Sequence, residues 1–118
     1  MANYRFHDSY RDKSSNEIWY DLQNLVYVNG EFYSIGKTPK TYKITSKNNE
    51  TISFSGEDRI SIEDINVVDF VNVLDKLLKL DAFNTNSSKV FFKGTNLYSK
   101  RSPFFALLYT NGFIKRMI

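Results

Sequence analysis

The amino-acid sequence predicts an α+β fold: two β-hairpins forming a small antiparallel sheet, packed with a long helix over about 62–81 and a C-terminal helix over about 103–111. Three observations carry that expectation. TYKIT (41–45) and TISFS (51–55) alternate apolar and polar residues; apolar residues recur at helical spacing from Ile65 to Leu78; and Ser102-Pro103 and Asn111-Gly112 bracket an apolar run with start and stop signals. A chain of 118 residues fits a single domain with one core, and 42% hydrophobic against 25% charged residues excludes disorder throughout. Residues 1–13 are polar and charged, and are the candidate flexible tail.

Taken in order, Ser14 stands three residues before Glu17, the spacing of a capping box, and Ile18, Trp19, Leu22, Leu25 and Val26 follow at helical intervals. This predicts a short helix over about 15–24. The competing reading runs the next strand back through Ile18 and Trp19, both good strand formers. In LVYVNGEFYSI, Asn29-Gly30 lies between two β-prone runs and predicts a tight two-residue hairpin turn. After the spacer GKTPK, the two alternating stretches are joined by SKNNE as a second hairpin, with Tyr42, Ile44, Ile52 and Phe54 on its buried face. The opposite face carries Thr41, Lys43, Thr45, Thr51, Ser53 and Ser55, rich in hydroxyls and without an acid.

The long helix is expected to begin at Ser61 as N-cap, with Glu63 and Asp64 in its first turn and Lys76 and Lys79 near its end, following the helix dipole. Its apolar stripe reads Ile65, Val68, Val71, Leu74, Leu77 and Leu78. Residues 85–93 admit two readings, a short helix capped by Thr85 or Ser87, or a strand through KVFF. Ser102 then caps a helix with Pro103 at its first position.

The order of long helix, short element, loop and SPFFALLYTNGFI over residues 62–118 resembles a helix-turn-helix domain, which implies a DNA-reading second helix. Between Pro103 and Tyr109, however, there is no Arg, Asn or Gln to meet base edges. Phe104, Leu107 and Leu108 make one stripe and Phe105 with Tyr109 another, the pattern of a helix surrounded by protein.

Chemistry is narrowed by what is missing. Without cysteine there is no disulfide scaffold, thiol catalysis or thiolate site, and the single histidine, His7, cannot build a histidine metal cluster. Glu57, Asp58, Glu63 and Asp64 lack calcium-loop spacing, and the five glycines are too dispersed for a phosphate-cradling loop. The expectation is a non-enzymatic protein with no metal and no cofactor. No apolar run approaches the roughly 18 residues of a membrane span, and the first residues lack the apolar stretch of a secretory signal, so a cytoplasmic location and no membrane partner are expected.

Charge is segregated along the chain. Residues 57–81 hold Glu57, Asp58, Glu63, Asp64, Asp69, Asp75 and Asp81 against Arg59, Lys76 and Lys79, whereas residues 82–118 contain six cations and no acid. A second acid-free window runs from Phe32 to Asn49 with four lysines. Positive surfaces of this kind suit an anionic partner, and aromatics interleaved with cations, as in FFK and LYSKR, suit stacking on single-stranded nucleic acid. The candidate nucleic-acid or partner-binding residues are therefore Tyr98, Lys100, Arg101, Lys115, Arg116, Lys89, Lys93 and Lys43. The alternative is a protein-interaction or inhibitor module of phage or mobile-element type that blocks a host nuclease or defence complex, its partner then being a nucleic-acid-binding host protein. Small size, the acidic 57–81 segment as a nucleic-acid mimic, and Asn, Lys, Ile, Tyr and Phe usage typical of AT-rich genomes motivate it.

Overall fold

The computed structural model describes residues 2–117 and has the expected mixed character, with two antiparallel sheets rather than one. A four-stranded sheet is built from β2 (Glu31–Tyr33), β3 (Thr41–Asn48), β4 (Thr51–Gly56) and β5 (Glu63–Asn66), neighbours in that order. A two-stranded ladder pairs β1 (Tyr4–Phe6) with β6 (Ile114–Arg116). The helices are α1 (Asp8–Arg11), α2 (Ser15–Leu25), α3 (Val67–Leu78) and α4 (Arg101–Thr110), with short, tighter helical segments at Ser87–Phe92 and Tyr98–Lys100.

The second hairpin is as the alternation dictates: Ile44 lies opposite Phe54, and Tyr42, Ile44, Ile52 and Phe54 are all buried. A bulge between Ile44 and Ser46 breaks the alternation and turns Lys47 to the inner side, opposite Ile52. There its Nζ donates to the carbonyls of Gln23 at 2.5 Å and Val26 at 2.7 Å, placing a cation on the carboxyl end of α2. The other end of α2 has the expected capping box, with Ser14 Oγ accepting from the Glu17 amide and Glu17 from the Ser14 amide.

Several expectations are corrected. Asn29-Gly30 is a turn but not a hairpin turn, because helix α2 persists to Leu25 and leaves Tyr27 and Val28 exposed with no strand partner. Asn29 takes a left-handed φ of 70°, and its amide donates to Ile44 carbonyl, so the turn feeds the chain directly onto β3; the first hairpin is β2 with β3. The long helix starts later than Ser61. Residues 63–66 pair with β4, burying Ile65 opposite Ile52, and Asn66 is the N-cap, its side chain accepting from the Asp69 amide at 2.9 Å. The buried face of α3 is accordingly Phe70, Val73, Leu74 and Leu77, while Val68 points to solvent.

The amino-terminal residues are not a loose tail among those described: Tyr4 and Phe6 are buried, and Tyr4 also exchanges backbone hydrogen bonds with Phe83 at 2.7 and 2.9 Å. Helix α4 begins at Arg101 without a side-chain cap, so Ser102 and Pro103 fall inside it; residues 103–108 are all buried. A recognition helix exposes a reading face, and α4 has none, so the helix-turn-helix likeness stops at element order. Of the two readings of residues 85–93 the short helix holds, over Ser87–Phe92, but without the expected cap. It is a tight helical segment in which Asn84 Oδ1, rather than Thr85 or Ser87, accepts from the Ser87 amide. Among the described residues no helix is long and apolar enough to cross a membrane.

Candidate functional site

The β4–β5 connection, the loop after β2 and the start of α4 meet around a cleft of about 700 Å³. Its wall is a brace centred on Asp58. That carboxylate accepts from Lys40 Nζ and from the Tyr42 hydroxyl, each at 3.3 Å, and Tyr42 reaches Ser102 Oγ at 2.9 Å. Arg59 joins the brace to the Tyr98–Lys100 segment that precedes α4: Nη1 donates to the Ser99 carbonyl at 2.8 Å and to Glu63 at 3.4 Å, and Nε makes an ion contact with Asp58 at 3.4 Å. Lys40, Arg59, Asp58 and Glu63 therefore neutralise one another.

Two further cations line the cleft. Lys89 rises exposed from the 87–92 turn, and Arg101 opens α4. Arg101 lies over the Tyr98 ring at 4.3 Å from its centroid and donates to the Tyr98 carbonyl at 2.8 Å, which fixes both side chains. Tyr98 still presents 42% of its surface to solvent. Among the described residues neither Lys89 nor Arg101 has a carboxylate partner. Buried Phe105 forms part of the lining. The result is a positive recess with one half-exposed aromatic face.

Burial works against the Asp58 carboxylate, but the Lys40 hydrogen bond, the Arg59 and Lys40 charges and the Tyr42 hydroxyl together outweigh it and hold its pKa below the ordinary value of 3.8. A depressed folded-state pKa contributes stability that is complete above the unfolded value and disappears as pH falls through the folded one. Asp58→Asn is expected to be destabilised at pH 7 and to lose less on acidification: urea unfolding at pH 7 and pH 3 should differ less for the variant than for the parent. Equal acid sensitivity in the two proteins contradicts the brace.

The cations predicted from sequence do not all converge. Tyr98, Arg101 and Lys89 share this cleft, and Lys40, Arg59 and Asp58 join them. Lys100 turns away, its Nζ on the Asp64 carbonyl of β5 at 2.7 Å. Lys43 stands opposite Glu31, and Ser53 donates to Asp64 at 2.6 Å, so the hydroxyl-rich sheet face is not free of acids: neighbouring strands supply them. Lys93 is exposed and lines neither this cleft nor the second one. Lys115 lies opposite Arg5 on the terminal ladder, while Arg116 lines a second, neighbouring cleft. Arg59 was hidden by its acidic surroundings in the sequence, and Lys40, although it stands in the acid-free window, was not among the candidates named from it.

Among the described residues no three His, Cys, Asp or Glu side chains gather as a metal site. The chain matches no protein-family model, no curated protein and no solved structure, so the geometry of this cleft is what bears on function.

Proposed function

We propose that this chain is a non-enzymatic, cytoplasmic binding protein that engages nucleic acid mainly through phosphate contacts. The observation that supports this reading is the meeting of Lys89 and Arg101, free of carboxylate partners among the described residues, with the half-exposed Tyr98 ring. Phosphate oxygens satisfy the cations and a base can lie on the ring, without sequence being read.

The test is binding of labelled single-stranded DNA and RNA across a salt series. Log affinity should fall linearly with log salt, and Lys89→Ala with Arg101→Ala should flatten that slope by about 1.4, at roughly 0.7 per phosphate contact on a single strand. Lys76→Ala, on the solvent side of α3, should leave it unchanged. No binding at low salt to DNA or RNA of either strandedness ends the reading.

A protein-interaction module remains the second reading, now supported by a different surface. Ile60 and Ile62 just before the edge strand β5, and Val68 just after it at the start of α3, are each exposed. The acidic-mimic form of this reading loses support, because six of the seven carboxylates in 57–81 already have partners within the chain. Host protein captured on the parent after nuclease treatment, but lost on Ile60→Asp, favours the module.

A further inference from the structure

Beside the first cleft lies a second, of about 440 Å³, and the two share Ile35 as a common wall. Its lining includes Tyr4, Tyr33, Tyr109 and Arg116, and no carboxylate. Tyr33 and Tyr109 are each 44% exposed, close to the 42% of Tyr98 in the first cleft. The Tyr33 amide donates to Thr110 Oγ1 at 3.1 Å, pinning the β2 backbone to the end of α4, the Tyr33 hydroxyl donates to Glu31, and Tyr109 stands edge-on to buried Tyr4 with centroids 5.9 Å apart. Arg116 is directly opposite Tyr4 in the β1–β6 register.

We propose that the two clefts form one continuous track for a single strand of nucleic acid, a deepening that rests on reading the first cleft as a nucleic-acid interface. Each cleft supplies the same pair of functions, a fixed and half-exposed tyrosine for a base and an arginine for the adjoining phosphate. Glu31 accepts from the Tyr33 hydroxyl at 3.3 Å and repels phosphate from that end of the ring, which leaves Arg116 as the phosphate contact of the second cleft. Selection of single strands follows from stacking. In a duplex both faces of a base are covered by its neighbours, so three tyrosine faces in two adjoining recesses are useful only to unpaired bases. Tyr98 and Arg101 of the first cleft and Tyr109 and Arg116 of the second all come from the acid-free carboxyl-terminal third, and the one carboxylate in either lining, Asp58, is already paired with Lys40 and Arg59.

Fluorescence anisotropy with labelled oligodeoxythymidylates of two to ten nucleotides tests the track. Affinity should climb with length until both clefts are filled and then level off, and a duplex of equal length should bind more weakly. The double variant Tyr33→Ala, Arg116→Ala should lose about tenfold or more on the longest strand, within the range of about 1–3 kcal/mol for one lost stacking contact, and keep its affinity for the dinucleotide. Urea unfolding of the double variant, expected at the parent's midpoint, separates lost stacking from damage to the fold. The proposal is overturned if the double variant binds the long strand normally, if short and long strands weaken equally, or if duplex binds as tightly as single strand. In those cases loss of binding in the Lys89 and Arg101 variant still upholds the first cleft; no binding to any oligonucleotide sinks both.

Discussion

Phe104→Ala should lower the free energy of unfolding by about 3–5 kcal/mol, the range for deleting a buried aromatic ring. Phe104 is fully buried on α4, with its ring centroid 5.3 Å from Phe70 of α3, 5.1 Å from Phe92 of the helical turn and 5.4 Å from Phe105. These three rings belong to three separately anchored segments, so they cannot collapse into the vacated space, and the cavity term adds to the lost transfer free energy. Against the roughly 5–15 kcal/mol of a typical domain, the loss is a large fraction of total stability. Urea unfolding followed by Trp19 emission measures it directly, since Trp19 packs 4.9 Å from Phe70 in the same cluster. A change below about 1 kcal/mol would show that α4 is not the interior helix described above.

Gly56→Ala is the second large effect, expected at about 1–3 kcal/mol from overpacking. A Cβ at residue 56 meets Tyr42 Cδ1 at 2.5 Å and Cε1 at 2.8 Å, with Arg59 Cγ at 3.2 Å. The ring cannot swing aside. It is stacked on Phe32 at 5.1 Å and edge-on to Phe54 at 5.8 Å, and its hydroxyl is engaged with Asp58 and Ser102. Displacing Tyr42 therefore disturbs the brace on one wall of the first cleft, and oligonucleotide affinity should fall together with stability. A double-mutant cycle isolates the cause: Gly56→Ala should cost much less in a Tyr42→Ala background, and an undiminished cost there would refute the ring contact.

Local rules made the sheet hairpin, the α2 capping box and the enclosed character of 103–108 legible in the sequence, because each depends on residues close to one another along the chain. The departures have one physical origin. Ile65 fits the helical stripe of residues 65–78 as well as it fits a strand, and only Ile52 across the sheet decides between them. Tyr4 and Phe6 form too short a strand to declare itself without β6, and Asn29-Gly30 signals a turn equally well whether a helix or a strand precedes it. The candidate site divides in the same way. Tyr98 and Arg101 are neighbours in sequence and were visible as a basic and aromatic cluster. Their joining to Lys40, Arg59 and Asp58 depends on how the β2–β3 loop and β4–β5 connection fold against α4.

In mechanical terms, the β1–β6 ladder is a zipper. Tyr4 lies opposite Arg116, Arg5 opposite Lys115 and Phe6 opposite Ile114, so tension applied between residues 4 and 116 loads these antiparallel pairs one after another rather than all at once in shear. The first pair to part is the one that contributes both of its side chains to the second cleft. Pulling on the two outer strands, as in an optical trap, would thus dismantle that recess at low force while the four-stranded sheet and the first cleft still hold.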